Sequence, residues 1–172
     1  MWPFKKKTEY VPNENDPWFL KRKEYDCIDG GKGKYIYCVG HQFLFSNELK
    51  KMAFYHTLNN EGILIEKDFK DLIGCEYSKN NQVVGSASVT GAVVGGLLAG
   101  TTGAIIGAVA GDKKYLSLEL KIFFNDFDYP VKTLSYNNKG SKTADTTKIE
   151  KEYVDLYAMC QFIINQNKMN TN

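Results

Sequence analysis

A chain of 172 residues, 43% hydrophobic and 24% charged, can bury the core of one domain and is short for two. Its 22 Lys and Arg nearly cancel its 20 Asp and Glu, leaving a formal charge of +2, so the balance identifies neither a basic nucleic-acid arm nor an acidic tail. Nucleic acid is not expected as a partner.

Cys27, Cys38, Cys75 and Cys160 are scattered without a C-x-x-C pair. That spacing argues against a zinc ribbon or a thioredoxin-like site and fits free thiols in a reducing compartment. The opening Met-Trp-Pro-Phe-Lys-Lys-Lys has no apolar run after its basic residues, so no secretory signal is expected. The same residues, Trp2, Phe4, Lys5, Lys6 and Lys7, combine rings with ammonium groups, a mixture suited to an anionic membrane surface, with a frayed, solvated terminus as the alternative.

Residues 1–24 carry Pro12, Pro17 and many charges around Trp18 and Phe19, and read as an irregular arm with one short docked turn. Lys34–Val39 and Gln42–Phe45, separated by Gly40-His41, read as two strands or one bent strand. Ser46–Leu58 is ambiguous: Leu49, Met52, Ala53 and His56 recur at helical spacing, which favours a helix or turn, while Met52-Ala53-Phe54-Tyr55 also reads as a strand after a turn at Ser46-Asn47. Asn59-Asn60-Glu61-Gly62 is turn chemistry, followed by a short strand at Ile63–Ile65 and another at Gly74–Tyr77.

Further on, Leu116, Leu118, Leu120, Ile122 and Phe124 alternate with Ser117, Glu119, Lys121, Phe123 and Asn125, the clearest strand in the chain. Asn125–Pro130 turns it back into a partner strand at Val131–Tyr136. Thr147-x-x-Glu150 has the form of a capping box, and Ile149, Tyr153, Leu156, Cys160 and Ile163 then mark the apolar stripe of a C-terminal helix that lids a sheet. The elements predict an α+β fold, with residues 25–81 and 113–168 forming one discontinuous domain around an insertion at 82–112.

Between the halves, Gln82–Gly111 runs for 30 residues without a charge. Gly91 and Gly95, Gly96 and Gly100, and Gly103, Gly107 and Gly111 repeat every fourth residue, which aligns small residues on one helix face for close backbone packing. Thr101-Thr102-Gly103 divides the run into arms shorter than the about 20 residues a span needs. A single span would separate two fragments too small to hold a core, so a re-entrant or interfacial hairpin is expected. A soluble helical pair packed against the domain or a second copy is the alternative.

No catalytic constellation stands out. Gly85-Ser86-Ala87-Ser88 lacks the nucleophile-elbow spacing, and Gly30-Gly31-Lys32-Gly33-Lys34 has Tyr35 where a phosphate loop needs Ser or Thr, so a turn is expected there. His41 and His56 stand alone in sequence, and Asp126 and Asp128 read as Asx-turn residues before Pro130. The expectation is a non-enzyme without metal or cofactor.

The Phe-Lys-Lys-Lys start, Phe69-Lys70-Asp71-Leu72-Ile73, the glycine zipper, and Leu118-Glu119-Leu120-Lys121-Ile122 with Asn125-Asp126 and Pro130 resemble an uncharacterised bacterial and phage family. In that family a glycine zipper interrupts a small pleckstrin-homology-like or GRAM-like barrel, and the likeness covers about residues 60–165. Members often carry a zinc ribbon, whose cysteines this sequence lacks. The resemblance implies a PH-like antiparallel barrel or sheet with a C-terminal helix, working as a non-enzymatic, membrane-proximal module. Expected partners are membrane lipid, further copies of the chain and an unidentified protein, at the cytoplasmic face of a membrane. The alternatives are a soluble cytoplasmic binding module that uses the zipper for homodimer packing, and a pore-forming growth-arrest protein.

Overall fold

The computed structural model describes residues 15–28, 30–56, 63–89, 116–138 and 145–171. Asp16 opens α1 (Pro17–Glu24): its carboxylate accepts the Trp18 amide at 3.0 Å, and Pro17 takes an early helical position where its missing N–H costs nothing. The last eight residues of the expected irregular arm are therefore helical.

Four strands follow as an antiparallel meander, β1 (Lys34–Cys38), β2 (His41–Ser46), β3 (Lys51–His56) and β4 (Ile63–Asp68). The reading of Ser46–Leu58 as helix or turn is corrected here, because only 47–50 turns and β3 continues the sheet. Met52 and Phe54 enter the main core from one face of β3, while Ala53 and Tyr55 meet α1 on the other. A strand covered on both faces shows no polar alternation, which is why its apolar residues could be counted at helical spacing.

A 3-10 turn at Phe69–Asp71 leads into the second sheet, formed by β5 (Leu72–Lys79), β6 (Gln82–Ser88), β7 (Ser117–Phe124) and β8 (Val131–Asn137) in the order β6-β5-β7-β8. Asn80 and Asn81 sit at φ 50° and 64°, joining β5 to β6 by the two-residue turn whose twist suits a hairpin. Gln82–Ser88, read from its lack of charge as the start of the insertion, is thus an edge strand of the sheet. Because β6 and β7 are both antiparallel to β5, they run parallel to each other. The end of β6 and the start of β7 therefore lie at opposite ends of β5, so their connection has the topology of a crossover.

The C-terminal helix α2 (Thr146–Thr171) lies against β5, β1 and β7. Its start is capped by Asp145, whose side chain accepts the Lys148 amide at 3.2 Å, while Glu150, expected in a capping box with Thr147, reaches Lys79 at 2.6 Å. Tyr153, Leu156, Cys160 and Ile163 are buried as the stripe predicted, joined by Tyr157 and Ile164. Asn167 pins the far half of the helix, donating to the Phe69 and Leu72 carbonyls at 2.7 and 3.1 Å.

Residues from both sides of the glycine-rich segment fill one core: Phe43, Phe45, Met52 and Phe54 from the first sheet meet Leu118, Leu120, Ile122, Phe124 and Leu134 from the second. Burying each such side chain contributes about 1.5–3 kcal/mol. Trp18, Tyr25, Leu44 and Ala53 form a second, smaller core on the outer face of the first sheet, where Trp18 stacks on Tyr55 with centroids 5.4 Å apart. The α+β reading holds, and among the described residues the two sheets form an open pair, not a closed barrel.

Candidate functional site

The helix-packing glycines Gly91, Gly95, Gly96, Gly100, Gly103, Gly107 and Gly111, and the surface residues Trp2, Phe4, Lys5, Lys6 and Lys7, lie outside the described residues. The two feet of the zipper segment are described, and both are held firmly. At the first, the Val89 amide donates to the Ile73 carbonyl at 2.8 Å. At the second, Asn80 and Asn138 bracket the entry to β7: Asn138 Oδ1 accepts the Leu116 amide at 2.9 Å and Asn80 Oδ1 accepts that of Ser117 at 3.0 Å. No local pattern in the sequence pointed to this pairing of two asparagines from separate segments. The feet stand beyond opposite ends of the Gly74–Lys79 stretch of β5 and on its two flanks, so about 17 Å of strand rise and two strand spacings place them at least about 20 Å apart.

A charged network fixes α1 to the first sheet. Lys21 and Lys51 approach the Glu66 carboxylate at 2.8 and 2.7 Å, and the Tyr25 hydroxyl donates to it at 3.0 Å. Partial burial alone would raise the Glu66 pKa, but hydrogen bonds from Lys21, Lys51 and Tyr25 prevail and hold it at about 2. The same desolvation, with that carboxylate beside it, pushes the Tyr25 hydroxyl well up.

β4 and β8 are the last strands of their sheets. Lys67 on β4 binds Asp126 and sits 5.9 and 5.7 Å from the ring centroids of Phe124 and Tyr129. Lys132 on β8 is only 5% exposed, and its ammonium lies 5.6 Å from the Phe54 ring centroid. Burial pushes its pKa down. Nothing in the local sequence marked either lysine, since the strands that bring them together are more than sixty positions apart.

The remaining sequence candidates resolve into structure. Asp126 Oδ1 accepts the Asp128 and Tyr129 amides at 2.8 and 2.9 Å, the expected Asx turn, with Lys67 holding its carboxyl below the usual range. In the glycine loop after α1, Asp26 takes the Lys32 amide at 2.7 Å, so the loop's amide already serves a carboxylate of this chain. A Cβ on Gly33 would fall 1.9 Å from the Tyr25 carbonyl, which accounts for that glycine. His41 and His56, isolated in sequence, are register partners on β2 and β3. Among the described residues no group of His, Cys, Asp and Glu is placed to hold a metal ion. Burial pushes the Cys38 and Cys75 thiols up to about 12, as in inert core cysteines.

Two antiparallel sheets lidded by a C-terminal helix, with a crossover inserted in the second sheet, define a PH-like interaction domain. Residues 33–138 match the family described as glycine zipper containing PH domain, and the chain belongs to that family. The match starts earlier than residue 60 and stops before α2. No curated protein and no solved structure matches the chain.

Proposed function

We propose that this protein is a non-enzymatic, membrane-associated interaction and oligomerisation module of a bacterial or phage setting, with a GRAM-like domain at the cytoplasmic face. In this reading the zipper segment enters or lies on the bilayer and packs against copies of itself, and Trp2, Phe4 and Lys5–Lys7 add a surface contact. A protein partner for the domain belongs to the same reading.

The observation that carries it is the placement of an uncharged, glycine-spaced run between two strands of one sheet. Since β5 pairs with both β6 and β7, the run starts and ends on the same side of any membrane it meets. Two full helical crossings need about 40 residues, whereas the stretch between Val89 and Leu116 has 26. This argues for a re-entrant or interfacial segment and against the pore reading. No helix among the described residues is long and apolar enough to cross a membrane.

A soluble module with the zipper in a homodimer is favoured by one observation of its own: any parallel strand pair needs a crossover of a dozen or more residues, and this segment meets that need without lipid. Flotation with anionic vesicles and crosslinking in membranes separate the readings. Wild-type protein should float, resist high salt and yield to detergent. Gly95→Leu and Gly103→Leu should still float but crosslink less, because an isobutyl group parts two packed helices. Wild-type protein that stays at the bottom of the gradient as a monomer or dimer overturns the membrane reading.

A further inference from the structure

We propose that Lys132 guards the free edge of β8: as a charge turned into the core from an edge strand, it keeps the domain from pairing β8 with β8 of a second copy. Among the described residues β8 is paired to β7 alone. The Phe124 amide donates to the Pro130 carbonyl at 2.9 Å and the Asn138 amide to the Leu116 carbonyl at 3.1 Å, which puts the even-numbered positions of β8 in hydrogen-bonded pairs with β7. The Thr133 and Ser135 amides therefore point away from β7. Val131, Thr133 and Ser135 are exposed and uncharged, the first two are β-branched, and the register of β8 on β7 runs without a bulge. An edge of this kind invites a further strand.

The other edges are managed differently. β1 packs against α2, β6 pairs with β5 in a register that shifts at Tyr77/Ser78, and β4 carries Lys67 opposite Met52, bound to Asp126 beside the rings of Phe124 and Tyr129. β8 has Lys132, opposite Ile122 and two residues before the buried Leu134, 5% exposed and with its ammonium 5.6 Å from the Phe54 ring centroid. The ring offsets part of the cost of desolvating that charge, and a strand laid along β8 would cover the residues on both sides of it and raise the cost. Desolvation thus works against pairing, as it would not with an apolar side chain at this position. Together with the reading of the glycine segment above, on which only this point rests, the guard leaves self-association of the chain to the zipper.

The test is amide exchange followed by NMR on the full chain in nonionic detergent, at low and at high protein concentration. In wild type and Lys132→Arg, exchange at Thr133 and Ser135 should not change with concentration, even where the chain associates elsewhere. Lys132→Met, which removes a buried charge at similar volume, should keep the fold and slow both amides about tenfold at high concentration as β8 pairs with its copy. Adding Thr133→Pro to that variant, which removes an amide that β7 does not use, should abolish the slowing. The proposal fails if wild type already shows concentration-dependent protection there, if Lys132→Met exchanges as wild type does, or if the protection survives Thr133→Pro. It fails equally if Lys132→Met loses its fold, because the charge would then hold β8 in place instead of guarding it. Association through the glycine segment is scored separately by crosslinking of Gly95→Leu, so either reading can fail alone.

Discussion

The Val39 amide donates to the Glu152 carboxylate at 3.3 Å, tying the β1–β2 turn to α2 across 113 positions of sequence. Val39 sits at φ 40° and Gly40 at φ 79°, the left-handed pair of a two-residue hairpin turn. A β-branched residue is strained there, and the contact with α2 helps keep the strained amide in place.

Val39→Asn creates the Asn-Gly pair this turn favours and should raise stability by about 0.5–1 kcal/mol, net of the lost methyl packing. Glu152→Ala removes the acceptor of a partly buried amide and should cost about 1–2 kcal/mol. Urea denaturation of both variants checks the pair of signs. Destabilisation by Val39→Asn would mean that the valine packs more than it strains.

Glu66 makes acid stability depend on α1. Its folded pKa of about 2 lies below the ordinary 4.5, so its stabilising contribution is complete above pH 4.5 and is lost as pH falls towards 2. Glu66→Gln should cost about 1 kcal/mol at neutral pH, after solvent screening of the lysines, and flatten the stability profile over that window. Denaturation midpoints at pH 7, 4 and 3 test this, and equal slopes for wild type and Glu66→Gln would exclude the network as the cause.

How much of this was legible depended on whether a segment has one wet face. β7 alternates because one side of its sheet is polar, and α2 keeps its stripe because one side meets the core; both were readable. β3 lies between two cores and lost its period, and α1 carried a readable start at Asp16-Pro17 that passed for loop punctuation. β6, written in Val, Gly, Ser and Ala without charge, merged with the zipper beside it. The contacts of Lys67 and Lys132 with the rings of Phe54, Phe124 and Tyr129 could not be read at all, since these residues are far apart in sequence and meet only through the topology.

The crossover sets a minimum length for any replacement of the zipper. A four-residue linker from Val89 to Leu116 reaches at most about 18 Å when fully extended, less than the separation of the feet and too little to arch over β5. About fourteen Gly/Ser residues in place of 90–115 should preserve cooperative unfolding, whereas four should detach β6 from the sheet. Thermal unfolding and amide exchange at Val83–Ser88 distinguish the outcomes. If the four-residue version protects those amides, β6 and β7 are not joined across β5.

Gly85 and Gly95 look alike in sequence, each a glycine in an uncharged run, yet they answer to different constraints. Gly85 lies in β6 opposite Tyr77, and a Cβ there would fall 2.8 Å from the hydroxyl oxygen and 2.9 Å from the ring carbon Cζ of Tyr157. Tyr157 is 2% exposed and packs on Tyr77 with centroids 6.0 Å apart, so it has little room to withdraw. Gly85→Ala should therefore cost about 1–3 kcal/mol by overpacking, even though alanine has the better propensity. Gly95→Ala changes a residue of the four-residue glycine repeat and should leave the unfolding midpoint of the domain unchanged. Chemical denaturation of the two variants side by side gives the answer: equal stability would place Gly85 with the zipper, and a loss confined to Gly85→Ala would put the boundary of the sheet beyond it.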